Sequence, residues 1–196
     1  MAEDNATIDN RNIYYPPGGI LLWIIIFLEI ITFTVGISVF LYQKSGNLEL
    51  FTQSQLMLNK TFGTVNTLVL ITGGFMMATS LHLLKGGENK KSLIWIRAAS
   101  LMGILFLFIK GIEYAQKIEH GLTIDHDSFF TFYWLLTGFH FIHVLVAVVI
   151  LLIMARGIRK GTYTKTNYLD VESGATFWHM CDLIWLFLFP VLYLMG

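Results

Sequence analysis

The sequence predicts an all-α, polytopic membrane protein, a bundle of five transmembrane helices. Two observations carry that expectation. Of 196 residues, 55% are hydrophobic and only 13% charged, with a mean hydropathy of +0.64; such a chain is suited to lipid rather than water. Five apolar runs also reach the ~20 residues a helix needs to cross the hydrocarbon core at ~1.5 Å per residue. Formal net charge is zero, so nothing points to a nucleic-acid partner.

The runs lie near 20–42, 62–84, 93–115, 129–154 and 176–195. Together they make residues 20–196 one membrane domain behind a polar N-terminal segment, 1–19. That segment sets Glu3, Asp4 and Asp9 against one basic residue, Arg11. It lacks the basic region of a secretory signal, so the first run is expected to stay as a helix. Pro16-Pro17-Gly18-Gly19 breaks the chain before it. Glycine and threonine in "ITGGFMMATS" and "LLTGFHF" allow close helix approach. Pro190 is tolerable in the last run where a neighbour satisfies the freed carbonyl. The single cysteine, Cys181, excludes an internal disulfide or a CxxC site. An odd helix number without an internal repeat argues against a two-half transporter.

Basic residues predict the orientation. Arg11, Lys85, Lys90, Lys91, Arg97, Arg156, Arg159, Lys160 and Lys165 fall on the amino-terminal side; Lys44, Lys60, Lys110 and Lys117 fall on the other. The amino terminus is therefore expected inside and the carboxyl terminus outside. The chain would then sit as a multi-pass membrane protein.

An ionisable group at mid-helix costs roughly 2.5–3.5 kcal/mol on insertion scales and needs a partner or a task. The candidates are Glu29, Glu113, His140, His143, His179 and Asp182, with Lys110 beside Glu113. Pairs 110/113, 140/143 and 179/182 are spaced i,i+3 and share helix faces. Glu29 lies ~13 Å along its helix, at a depth where His140 or His143 can meet it. Two readings stay open: polar glue between helices, or a proton relay. His140 and His143 share one face, so together they cannot clamp a haem, which needs ligands on opposite sides of its ring. His179 with either of them, or three histidines with Glu29 or Asp182, leaves a metal site open. His82, His120 and His126 read as solvated. Glu172, two turns before His179, shares its face if the last helix starts early enough. No soluble-enzyme motif such as H-E-x-x-H or G-x-S-x-G occurs.

Longer stretches now carry a resemblance. "TGFHFIHVLV" resembles the TGFHGLHV signature of subunit III of haem–copper oxidases, the cytochrome c and quinol oxidases, and "FWHMCDLIWLFLFPVLYLMG" is similar to that family's closing stretch. "NTLVL" at 66–70 and "GIEYAQ" at 111–116 fall in register, and Glu29 takes the place of the family's carbodiimide-reactive acid. The resemblance implies a non-catalytic accessory subunit with no active site of its own. Its partners would be the haem-bearing catalytic subunit and membrane lipids; haem and metal would sit in that partner, with phospholipids the candidate ligands here. The five-helix length is similar to bacterial quinol-oxidase forms. The "EYAQKI" run and Pro190 also resemble subunit-III-like proteins of bacterial nitric oxide reductases, an alternative partner for the same role. A different class, an independent transporter or proton channel, predicts activity without any partner.

Overall fold

The structure is a computed structural model in which residues 19–195 are described; the expected polar segment up to Gly18, with Arg11 and the Pro16-Pro17 break, lies outside the described residues. The elements run α1 (Ile20–Gly46), α2 (Leu48–Leu56), α3 (Lys60–Lys85), α4 (Asn89–Glu119), α5 (Ser128–Lys160) and α6 (Leu169–Phe189), the last continued by a π-turn at Pro190–Leu194. Five of them are long and apolar enough to cross a membrane. Among the described residues the regular structure is helical, as the composition and apolar runs imply.

Helices α3 and α5 start ahead of their apolar runs, where a polar side chain caps each. Asn59 accepts from the Thr61 amide at 3.0 Å to start α3, and Asp127 accepts from the Phe130 amide at 2.8 Å to start α5. Three helices end the same way, on a glycine at positive φ: Gly87 after α3, Gly121 after α4 and Gly161 after α5. The following amide then bonds back five residues, as Leu122 does to the Lys117 carbonyl at 2.9 Å. These left-handed turns make short reversals between antiparallel neighbours. At 31 residues α4 is about 46 Å long, so its last turns pass the ~30 Å hydrocarbon core.

Helices α3, α4, α5 and α6 form the packed body, and α1 leans on α5 and α6 at its edge. Only 11% of the most apolar window of α1 is buried, against 33–44% in the other four. Most of its surface therefore faces whatever surrounds the bundle. The short helix α2 is absent from the sequence-based expectation, because nine residues cannot span a membrane and leave little periodicity to read. It folds Phe51 into a ring cluster with Phe40 and Phe129, at centroid distances of 5.4 and 5.9 Å. Ser54 Oγ donates to Asp127 at 2.5 Å, and Lys44 reaches both Gln55 and the Met195 carbonyl. These contacts tie α2 across the bundle end.

Close approach is visible at Gly103 in α4. A Cβ there would stand 2.7 Å from the Trp178 ring and would also meet Val148. Gly103→Ala is therefore expected to cost ~1–3 kcal/mol through overpacking, read as earlier thermal unfolding in detergent. Gly111→Ala in the same helix, where nothing lies within 4 Å, serves as the matched control. Equal behaviour of the two would contradict this packing.

Candidate functional site

Glu29 and His143 meet where α1 leans on α5, both half-buried. Helix α1 turns Glu29 toward α5, and Oε2 lies 3.2 Å from His143 Nε2, with no other partner among the described residues. His143 Nδ1 sits 2.8 Å from the Phe139 carbonyl, which can only accept, so Nδ1 carries a hydrogen. A hydrogen bond between Nε2 and Glu29 then needs one more proton, on the carboxyl or on the ring. The pair is neutral in either form. It can thus hold a single proton at membrane depth without a net buried charge, which suits either polar glue or proton handling.

His140, one turn earlier, does not join that pair. It is fully buried, stacked on Trp185 at 5.3 Å and edge-on to Phe106 and Phe33 at 5.8 and 6.3 Å. Neither ring nitrogen has a hydrogen-bond partner among the described residues. Of the two histidines expected near Glu29, geometry selects His143. The i,i+3 offset lets both rings touch Phe33 of α1, yet only His143 reaches Glu29.

The largest polar cluster surrounds Glu113. Lys110 Nζ donates to Glu113 Oε2 at 2.9 Å, to Tyr133 at 3.0 Å and to Tyr193 at 2.7 Å, which uses all three of its hydrogens. Both tyrosine hydroxyls lie within 3.0 Å of Glu113 Oε1, and Lys117 pairs with that oxygen at 3.2 Å. Lys110 is fully buried and also faces the rings of Tyr114 and Trp185. This corrects the expectation of Lys110 and Lys117 as exposed charges of the far side: both are buried in the bundle. Because α4 continues to Glu119, Lys110 lies well inside the helix, and Lys117 is folded in as well.

The π-turn explains how Tyr193 gets there. Pro190 has no N–H to give the carbonyl one turn back, and the Met195 amide bonds the Pro190 carbonyl five residues away at 3.0 Å. The widened turn buries Tyr193 and points its hydroxyl at Glu113.

Toward the other end, His179 Nδ1 lies 3.4 Å from Asp182 Oδ2, and Gly74 in α3 admits that carboxylate because it has no Cβ. Helix α6 begins at Leu169, so Glu172 does fall on the His179 face. It pairs with Lys85 at 2.5 Å, and both line a cavity of about 380 Å³ with His82 and His179. The six expected site residues are therefore not gathered at one centre. They divide into Glu29 with His143, Glu113 with two lysines, His179 with Asp182, and His140 alone. Sequence reasoning missed Tyr133, Tyr193 and Trp185, which read as ordinary aromatics of an apolar run. Their one available signal was helical spacing: Trp185 and Tyr193 lie eight residues apart in the last run.

Comparison with known proteins places this geometry. The family model described as Cytochrome c oxidase subunit III matches residues 58–196, from the start of α3 to the end of the chain, so α1 and Glu29 lie outside the matched span. Cytochrome c oxidase subunit 3 of Arabidopsis thaliana is 33% identical over 134 residues, that of Triticum aestivum 32% over 134, and that of Synechocystis sp. 32% over 132. Each alignment covers 67% of this chain and 49%, 49% and 55% of the relative. The chain thus spans about half the length of the curated relatives it matches. With its Glu113 cluster, histidine-bearing α5 and closing α6 all inside the matched span, the chain belongs to the cytochrome c oxidase subunit III family.

Proposed function

We propose that this chain is a non-catalytic accessory subunit of a haem–copper oxidase superfamily complex, stabilising the catalytic subunit and supporting its proton uptake. Family membership supports the accessory role. The observation that carries the proton-linked part is the Glu29–His143 pair, whose geometry accommodates one mobile proton inside the membrane. The chemistry itself would take place in the partner, on haem and metal this chain does not supply. Residues 20–196 act as one membrane domain, in a bacterial inner membrane with the amino terminus inside. Burial strengthens that orientation. Of the four basic residues assigned to the far side, Lys44, Lys110 and Lys117 are buried, leaving Lys60 exposed. On the near side, Lys85, Lys90, Lys91, Arg97, Arg156, Arg159, Lys160 and Lys165 are all exposed.

Glu29→Gln is the test. The amide can still donate to His143 Nε2, so packing survives while the transferable proton is lost. Assembly with the partner is expected to stay intact. Proton-linked turnover of the complex should fall roughly two- to thirtyfold, matching the ~0.5–2 kcal/mol by which residues remote from a site modulate it. Unchanged turnover, with unchanged inactivation during turnover, would reduce the pair to polar glue.

A second reading has a nitric oxide reductase as the partner. It rests on the "EYAQKI" and Pro190 stretches, and the cluster joins them: Glu113, paired with Lys117 of the same run, accepts from Tyr193, which the turn at Pro190 delivers. Which gas the co-purified complex reduces separates the two. Proton transport by the chain alone in liposomes, abolished by Glu29→Gln, would favour a channel instead.

A further inference from the structure

We propose that the bundle end carrying α2 and the α4–α5 turn holds a binding site for a phosphate-bearing anion, with Lys117 as its buried cation. The site is independent of the Glu29–His143 pair and of the identity of the partner complex. Charge is the first argument. Two ammonium groups, on Lys110 and Lys117, share the single carboxylate of Glu113, and all three residues are at most 5% exposed. Buried charges are normally paired, and this cluster carries one positive charge in excess. Lys110 has spent its three hydrogens on Glu113 and the two tyrosines. Among the described residues Lys117 has one ion pair, with a carboxylate oxygen that two tyrosine hydroxyls already engage, and its ammonium stands 5.1 Å from the Tyr133 ring. Its remaining donors are where a second anion would complete the charge balance.

Space is the second argument. A cavity of about 450 Å³ opens on this face of the cluster, lined by Glu113, Gln116, Lys117, His120, Leu122 and Met57 among others. His120 Nδ1 donates to the Gln116 carbonyl at 2.6 Å, which leaves Nε2 for a ligand, and protonation makes that nitrogen a donor. Gln116 offers an amide from the same turn of helix. Leu122 and Met57 give the cavity an apolar margin suited to a glycerol or acyl segment. The Glu113 carboxylate also lines the cavity and repels an anion, so the ligand must sit on the Lys117 and His120 side.

Depth is the third. Lys117 is two residues before the end of α4, whose last turns pass the hydrocarbon core and stand at headgroup level. Buried charge, free donors and depth together fit a phosphodiester or phosphate, and its source is either a lipid headgroup or the free ion.

The test uses the full chain purified in detergent, with phosphatidylglycerol titrated by native mass spectrometry and inorganic phosphate titrated by ³¹P line broadening. Lys117→Gln removes the buried donor. His120→Ala, at an exposed position, removes a rim contact without disturbing the fold. Lys165→Gln, on the opposite bundle end, controls for surface adducts. The expected result is one preferred ligand, weakened about tenfold or more by Lys117→Gln, about threefold by His120→Ala, and unaffected by Lys165→Gln. Response to the lipid alone assigns a headgroup, and response to inorganic phosphate assigns a free anion. Binding of both probes left unchanged by His120→Ala and by a folded Lys117→Gln overturns the proposal. So does the absence of binding by the unsubstituted chain.

Discussion

Glu113→Ala is expected to destabilise the isolated chain by ~3–5 kcal/mol, the cost of removing one partner from a buried ionic group. Without the carboxylate, Lys110 keeps only two tyrosine hydroxyls and the rings around it, and Lys117 loses its counter-ion. Two like charges would then face each other inside the bundle. Glu113→Gln should cost nearly as much, because it preserves shape but not charge. The triple substitution Lys110→Met, Glu113→Leu and Lys117→Met should recover much of the loss, since apolar residues of similar volume remove all three buried charges together. Denaturant unfolding of the chain in mixed micelles reads these differences directly. A Glu113→Ala chain within ~1 kcal/mol of the unsubstituted one would match an exposed ion pair and contradict the buried cluster.

Trp185→Ala is the other large effect, about 3–5 kcal/mol, in line with truncating a large buried aromatic. This indole is where the polar and apolar cores join. It stacks on His140, stands edge-on to Phe106 at 5.1 Å, and lies 5.2 Å beneath the Lys110 ammonium. Its Nε1 donates to Thr67 at 2.9 Å, clipping α6 to α3. Trp185→Phe keeps most of the ring contacts but loses that hydrogen bond, so a smaller cost of about 1 kcal/mol is expected. Equal losses for alanine and phenylalanine would place the energy in the hydrogen bond rather than in the packing.

The five spans were legible because length and apolarity are local properties. Lys110 was not. Read along the chain it sits late in an apolar run and resembles an interfacial anchor, and only α4's continuation to Glu119 shows it is internal. Helix α2 was missed for a related reason: its buried residues Phe51, Ser54 and Gln55 gain partners only when α1 and α5 arrive. The Glu29–histidine contact was legible as a matter of depth, but the choice of His143 over His140 was not. A single turn of α5 separates them, and rotation of that helix is set by packing of Phe33, Phe106 and Trp185 that no spacing rule encodes. Tyr193 needed the π-turn at Pro190, where one missing N–H redirects the chain end. Single-residue roles therefore depended on tertiary contacts, while the architecture depended on composition.

The central claim is that this chain serves chemistry carried out by another subunit. The most direct measurement is affinity purification of the tagged full-length chain from its native membranes under mild detergent, followed by an optical spectrum and subunit identification. The expected result is a large haem-bearing membrane subunit in fixed ratio, whose Soret band stays with that partner once the two are separated. A Soret band that stays with the isolated chain, or a purified chain that transports protons with no haem-bearing partner at all, would contradict the claim.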